Sequence, residues 1–315
     1  MIAVPQRHLI VSGCYLLLSL VIFTTNPSQA GTIVRVSTSM GDYSIELLDD
    51  IAPATVQNFL NYVNRNDYDG TYLHRVVEDF VVQGGGFRFQ SFIGPIPVPA
   101  DPPVVNEFSV SNTRGTVAMA KIDGDPNSAT NQWFVSLIDN SGNLDSNNGG
   151  FTVFGNVLGD GMVILDAIED LPQVSLGSWA APNTPYITES YSSPTEFVYI
   201  SVAVVERFST ALHVFESATG LMIASVSVDG GAELLSLNLS LLPSANEVVF
   251  QANLDSVIPR RESPDGIATF STADNRLRIP SLELNSNGSI SNVSNVVFVL
   301  SDPAQYLFTL ESYDQ

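Results

Sequence analysis

In the segment YLHRVVEDFVVQGGG, Tyr72–Gly86, apolar residues surround one cation, Arg75, and one amide, Gln83. Valine-rich runs of this kind favour β-strands. Because successive side chains of a strand point to opposite faces, Arg75 can project outward while neighbouring valines enter a core. The closing glycines lack the Gly-Lys-Ser/Thr ending of a phosphate loop, so they predict a tight backbone turn.

The sequence around this stretch switches between strand and helix patterns. Residues 32–48 alternate apolar and polar residues around a Met-Gly-Asp turn and predict a β-hairpin, whereas residues 52–66 have helical spacing. Further strand-like runs follow at residues 115–120, 131–138 and 151–158. Residues 161–171 predict a second short helix. Many short strands with two helices favour a closed antiparallel β-barrel with helical caps, ending near Glu206.

The remaining segments are of three kinds. Residues 207–315 alternate strand-like runs with Asn, Ser and Gly turns and predict a small antiparallel β-sandwich-like domain, whose role and partner the sequence does not identify. The proline-rich residues 94–103 predict irregular chain, and residues 172–195 predict a long loop. The predicted organisation is therefore a signal in residues 1–30, a barrel in residues 31–206 and a β-rich domain in residues 207–315.

Composition excludes some partners. The chain of 315 residues has 33 acidic against 12 basic residues and a net charge of -21. Nucleic acids and anionic membrane surfaces need Lys/Arg patches, so neither is an expected partner. The acidic turn Asp123–Asp125 lacks the residue spacing of a calcium-binding loop, so we expect a solvated turn there. We expect no metal and no cofactor in this protein.

The first thirty residues have the pattern of a secretory signal. Arg7 and His8 precede an apolar run, and small residues close it at Ala30. We expect cleavage after Ala30, a periplasmic or secreted location and no stable membrane insertion of the mature chain. An uncleaved anchor is the alternative, although the run is short for a membrane span. VSGC around Cys14 resembles a lipoprotein box, but the apolar run continues past Cys14 instead of ending there, which disfavours lipidation.

Five segments occur in an order and spacing that carry a family resemblance: TSMGDYSIELLDDIAPATVQNFLNYV, LHRVVEDFVVQGG, GTVAMAK, SATNQWFVSL and LDSNNGGFTVFGNVLGDGMVILDAI. Together they make residues 32–205 resemble the cyclophilin family of peptidyl-prolyl cis-trans isomerases. The resemblance implies a closed eight-stranded antiparallel barrel with its active groove on the outer face. It also implies that the partners are proline-containing polypeptide segments.

The resemblance also implies roles for individual residues. Arg75 is expected to be the catalytic cation, and Gln83 is expected to hold both that arginine and the substrate backbone. The positions that form the proline pocket are Phe80, Val81, Phe134, Leu144 and Phe151, with Phe80 counted among the catalytic residues. Ala120 and Lys121 are expected to pair with the peptide through backbone groups, and Gln132 is expected to bind substrate.

The reaction suits these residue types. An X-Pro bond rotates over a barrier of about 18–20 kcal/mol because amide resonance is lost. In the twisted state the prolyl nitrogen lone pair localises, so a fixed donor there stabilises only the transition state. Arginine stays protonated and presents several donors in a rigid fork. No proton has to leave, so no base is needed, and we expect His74 to be structural. Of two adjacent aromatics, we expect Trp133 in the core and Phe134 in the groove.

The chain departs from the family pattern at four positions. Val81 replaces the usual Met, Lys121 the usual Asn, and Phe151 a common His or Tyr. Asn143 stands where many members carry an aromatic residue that contributes to cyclosporin binding, so we expect only weak inhibition by cyclosporin.

One alternative function is a proline-peptide-binding module or chaperone with little turnover. Another is that residues 207–315 form an adhesive module with the isomerase as passenger.

Overall fold

A computed structural model describes residues 31–176, 183–188, 193–231, 233–261, 264–286 and 288–315. The signal predicted for residues 1–30 lies outside the described residues. Within the described ranges, none of the helices combines the length and the apolar character that crossing a bilayer requires. The mainly β prediction is confirmed, because two large sheets account for most of the ordered elements.

The N-terminal part contains the first sheet, a small ribbon and the helices. The sheet strands are β1 Ile33–Thr38, β2 Gly41–Leu47, β3 Thr71–Tyr72, β4 Arg75–Val77, β5 Val81–Gly84, β6 Phe87–Gln90, β7 Gly94–Pro97, β8 Thr116–Met119, β9 Trp133–Ser136, β10 Val153–Val157 and β13 Tyr199–Val205. The ribbon pairs β11 Gln173–Val174 with β12 Thr184–Pro185. The helices are α1 Pro53–Asn64, α2 Ser141–Leu144 and α3 Gly161–Glu169, with 3-10 turns at Asn147–Gly149 and Pro194–Glu196.

The first sheet closes into a barrel through the Tyr72–Gly86 stretch. Its hydrogen-bonded order is β4-β5-β9-β8-β10-β2-β1-β13-β3-β6-β7. The adjacent strands β3 and β4 join its two sides, because the Leu73 N–H donates to Val198 O at 2.9 Å and the His74 N–H donates to Gln83 O at 3.1 Å. The described sheet has eleven strands rather than the expected eight, since β3 and β4 form one interrupted strand and the β6–β7 hairpin is added.

That hairpin corrects one prediction. The proline-rich residues 94–103 were expected to be irregular, but their first four residues form β7, paired with β6. Pro95 and Pro97 fit because β7 is the last strand of the sheet, where a missing N–H breaks no ladder on its outer side.

Apolar side chains from the inner face of the barrel and from both predicted helices form one core. Alternation buries Val76 and Val82 completely, as the strand pattern predicts. Helix α1 begins with Pro53 in its first turn and buries Val56, Phe59 and Val63. The same core contains Leu165 and Ile168 of α3 and Trp133 of β9. Both helices therefore close the barrel, as predicted.

The C-terminal part is a second sheet with its own core. Its strands are β14 Val214–Glu216, β15 Leu221–Val228, β16 Leu234–Leu242, β17 Val249–Arg260, β18 Ala268–Ser271, β19 Arg276–Ser286, β20 Ser289–Asp302 and β21 Leu307–Asp314. The β-rich prediction is confirmed, but two facing sheets do not form. Instead, the eight described strands make one sheet that closes on itself, because β14 pairs with β19 and β15 with β18. Phe250, Phe298 and Phe308 lie in its core.

Strand β17 of the second sheet packs against β13 and β1 of the first. At this contact Asp42 binds two nearly buried arginines, Arg35 of the barrel and Arg260 at the end of β17, the latter at 2.6 Å. Burial alone would raise the pKa of the Asp42 carboxyl, but the two arginines outweigh it and hold that pKa below its ordinary value. A second contact joins Asn253 Nδ2 to Asp69 Oδ2 at 3.1 Å.

The second sheet contacts one side of the first barrel. In the closed strand order of that barrel, β13 and β1 lie opposite β9 and β8.

Removing the shared carboxylate tests this contact. We expect Asp42→Ala to lower the free energy of unfolding by about 3–5 kcal/mol, because it leaves two arginines buried without an anion. Chemical denaturation followed by circular dichroism measures the change. The control is Asp274→Ala, which removes a carboxylate paired with Arg278 on the exposed surface and should leave the midpoint nearly unchanged. Equal midpoints for Asp42→Ala and the wild type would contradict this view of the contact.

Candidate active site

Four neighbouring strands place a row of side chains on the outer face of the barrel. Arg75 of β4 lies opposite Gln83 of β5, Gln83 lies opposite Phe134 of β9, and Phe134 lies opposite Ala118 of β8. Directly opposite residues of paired strands share a face. The register therefore puts a cation, an amide and an aromatic ring side by side. The intervening residues Val76, Val82 and Val135 face the core.

The polar end of the row is a chain of hydrogen bonds. Arg75 Nη1 donates to Gln83 Oε1 at 3.2 Å, and Gln83 Nε2 donates to Gln132 Oε1 at 2.9 Å. Burial lowers the pKa of the half-buried Arg75 guanidinium, yet arginine stays protonated in proteins. Among the ion pairs of the described chain none involves Arg75. Its charge is oriented by a neutral amide and remains available to a ligand.

The apolar end of the row is a separate cluster on the outside of the barrel. Its buried members are Val81, Ala118, Phe134, Leu144 and Val153, and Phe80, Ala120 and Phe151 pack against it. The Phe134 and Phe151 rings meet edge to face at 5.9 Å between centroids. All five residues predicted for a proline pocket thus lie in one cluster, next to the guanidinium-bearing strand.

Two buried asparagines hold the loops that carry these side chains. Asn140 Nδ2 donates to Phe80 O at 2.8 Å, while the Leu144 N–H donates to Asn140 O at 2.8 Å. Asn112 Nδ2 donates to Phe151 O at 3.0 Å. Neither asparagine was predicted, because nothing in the sequence distinguishes them from the many asparagines in surface turns.

The remaining predicted residues lie at the end of β8. The Ala120 N–H donates to Gln132 O at 2.9 Å, so this group is already used within the barrel. The side chain of Lys121 turns to the next loop, where Nζ donates to Asn148 O and Gly150 O at 2.8 and 2.6 Å. Lys121 was expected to act through its backbone alone, and this side-chain role was not predicted.

Neighbouring residues match their predicted structural roles. His74 is buried with its ring 4.9 Å from that of Phe87, and burial lowers its pKa to about 4, so it is neutral near pH 7. At Gly85 the backbone has a φ of 82°, and a Cβ would lie 2.6 Å from Asn131 O. The glycine run is a tight turn packed against the barrel.

Comparison with known proteins decides the family. Residues 33–190 match the family model described as cyclophilin type peptidyl-prolyl cis-trans isomerase/CLD. A peptidyl-prolyl cis-trans isomerase of Acinetobacter baylyi is 39% identical over 151 residues, which cover 47% of this chain and 77% of that protein. One of Streptomyces antibioticus is 40% identical over 166 residues, covering 50% and 95%, and isomerase B of Escherichia coli is 41% identical over 145 residues, covering 44% and 84%.

The chain belongs to the cyclophilin family. It is a cyclophilin-type peptidyl-prolyl cis-trans isomerase, as the resemblance in the sequence predicted. The family match ends at residue 190, so the strands β14–β21 lie outside the cyclophilin segment.

The hydrogen-bond chain generates a prediction for this cyclophilin. We expect Gln83→Leu to lower kcat about tenfold with a smaller change in KM, because the guanidinium of Arg75 loses the acceptor that orients it. A protease-coupled assay on a blocked X-Pro peptide measures both constants. Gln57→Leu is the control, since Gln57 bonds only to Asn61 on the exposed face of α1. A kcat equal to that of the wild type in Gln83→Leu would show that this bond does not matter for turnover.

Proposed function

We propose that Arg75 accelerates X-Pro rotation by donating a hydrogen bond to the prolyl nitrogen of the twisted amide, while the apolar cluster holds the proline ring. The observation that carries this proposal is the cross-strand row, in which a guanidinium with no carboxylate partner among the described residues lies beside Phe134 and its cluster. The donor meets a strong acceptor only when the amide is twisted, so it binds the transition state more tightly than the ground state.

Arg75 supplies only part of the acceleration. A charged hydrogen bond contributes about 1.5–3 kcal/mol, whereas the uncatalysed barrier is about 18–20 kcal/mol. The cluster around Phe134 and Leu144 contributes in two ways. It fixes the ring while the preceding carbonyl swings, and its apolar surroundings disfavour the more polar planar amide.

The substrate is a proline-containing polypeptide segment lying along the ends of β8 and β9. Pairing with an extended peptide falls to the Ala120 carbonyl and the backbone of Lys121, because the Ala120 N–H is already bonded to Gln132. The second domain packs on β13 and β1, across the barrel from β8 and β9, so it leaves this path open. We assign it no part in the chemistry.

We also propose that the enzyme acts on exported proteins. The support is the signal pattern of residues 1–30, with small residues up to Ala30. We expect the protein isolated from the periplasmic or culture fraction of producing cells to begin at Gly31, which intact mass spectrometry measures. An unprocessed chain confined to the cytosolic fraction would contradict export.

The Arg75→Ala variant tests the catalytic proposal and separates an isomerase from a binding module. We expect kcat/KM to fall by about a hundredfold or more, because the transition state loses the charged donor to the prolyl nitrogen. The affinity for a proline peptide, measured by calorimetry, should weaken only a few-fold, since the apolar cluster remains.

The control for Arg75→Ala is Arg276→Ala, which removes an arginine paired with Glu311 on the second domain. That variant should retain full activity. Unchanged turnover in Arg75→Ala, with the fold intact, would overturn the proposed role of Arg75. No isomerisation by the wild type above background would favour the binding-module alternative instead.

A further inference from the structure

One wall of the apolar cluster ends in a loop with an uncommon backbone. Asn148, Gly149 and Gly150 have φ values of 50°, 74° and 76°, so three successive residues have positive φ. Residues other than glycine seldom adopt a positive φ. The turn bond inside the loop runs from the Gly150 N–H to Asn147 O at 2.9 Å, so it uses none of the carbonyls of residues 148–150. The loop therefore depends on donors from elsewhere in the fold.

Two side chains supply donors to all three carbonyls of the run. Asn106 Nδ2 donates to Gly149 O at 2.7 Å. Lys121 Nζ donates to the carbonyls on either side, Asn148 O at 2.8 Å and Gly150 O at 2.6 Å. One ammonium therefore bridges the first and the last residue of the positive-φ run.

The same ammonium touches the pocket itself. Lys121 Nζ lies 4.6 Å from the ring centroid of Phe151, close enough for a cation-π contact. The Phe151 ring in turn meets Phe134 edge to face. Lys121 is also the only lysine of the chain. It connects the backbone of the loop to the aromatic wall that would face a proline ring.

We infer that Lys121 is a positioning residue of the isomerase, whose ammonium fixes the 148–150 loop and the Phe151 ring and so sets the width of the proline pocket. This inference rests on the proposed role of the cluster as that pocket. In this inference the Lys121 side chain acts on the substrate only indirectly, through the 148–150 loop and the Phe151 ring. Burial lowers the pKa of its ammonium, and the nearby carboxylate of Asp125 opposes this effect.

Loss of the ammonium should affect binding more than turnover. Two carbonyls would lose their donor, and the Phe151 ring would lose the contact that holds it against Phe134. The proline ring of the substrate is held in both the ground and the transition state. A less firmly held Phe151 should therefore raise KM, while kcat changes little. The donor to the prolyl nitrogen, Arg75, lies at the other end of the row.

The test compares Lys121→Met with Lys121→Arg in the protease-coupled assay. We expect Lys121→Met to raise KM about tenfold with kcat within about twofold of the wild type. Lys121→Arg should restore most of the affinity, because a guanidinium also donates to carbonyls and lies over aromatic faces. The matched control is Arg65→Met, which removes an exposed cation 4.9 Å from the ring centroid of Tyr62, and its constants should equal those of the wild type.

Two outcomes separate this inference from the proposed function. If folded Lys121→Met has the KM of the wild type while Arg75→Ala shows its expected loss of kcat/KM, the role of Lys121 is overturned and the mechanism stays intact. Full activity in Arg75→Ala would overturn the mechanism instead.

If Lys121→Met does not fold, chemical modification of the folded wild type replaces it. Acetylation of amines would modify Lys121 and the terminal amine, and the Lys121→Arg variant treated in the same way controls for the terminus. We expect acetylation to raise the KM of the wild type and to leave that of Lys121→Arg unchanged. Equal effects on both proteins would overturn the inference.

Discussion

The register between strands β4, β5 and β9 is the constraint on which the site depends. It sets Arg75 opposite Gln83 and Gln83 opposite Phe134, so the cation, the orienting amide and the aromatic ring have fixed separations. Because side chains alternate, a slip of one residue would bury the guanidinium and expose Val76 and Val82. The core that holds the barrel together therefore also holds the groove in shape, and no flexible loop has to position the cation.

The apolar half of the site depends on hydrogen bonds from side chains to loop backbone groups. Phe80, Leu144 and Phe151 lie in or beside loops rather than in strands. Their positions follow from side chains that satisfy loop backbone groups, chiefly Asn112 and Asn140. Each of these polar groups is buried, so an unmade bond would cost the full desolvation penalty. These hydrogen bonds give the apolar cluster one arrangement, and in the proposed mechanism its side chains hold the proline ring.

The sequence predicted the barrel well and the loops poorly, and the site roles assigned to Arg75 and Gln83 stay predictions. Strand alternation was enough to place Arg75 outside and Val76 inside. It could not show that Pro95 and Pro97 would be tolerated in a strand, because that depends on β7 lying at the sheet edge. Closure of the second sheet depends on pairings between distant strands. The roles of Asn112 and of the Lys121 side chain likewise depend on long-range contacts, which local patterns do not reveal.

A crystal structure of the protein with a blocked X-Pro peptide tests the central claim most directly. The proline ring should lie among Phe134, Leu144 and Phe151, with a guanidinium nitrogen of Arg75 facing the prolyl nitrogen at about 3.5 Å or less. Gln83 should still accept a hydrogen bond from the guanidinium. A proline ring bound elsewhere, or an Arg75 turned away from the prolyl nitrogen, would contradict the claim.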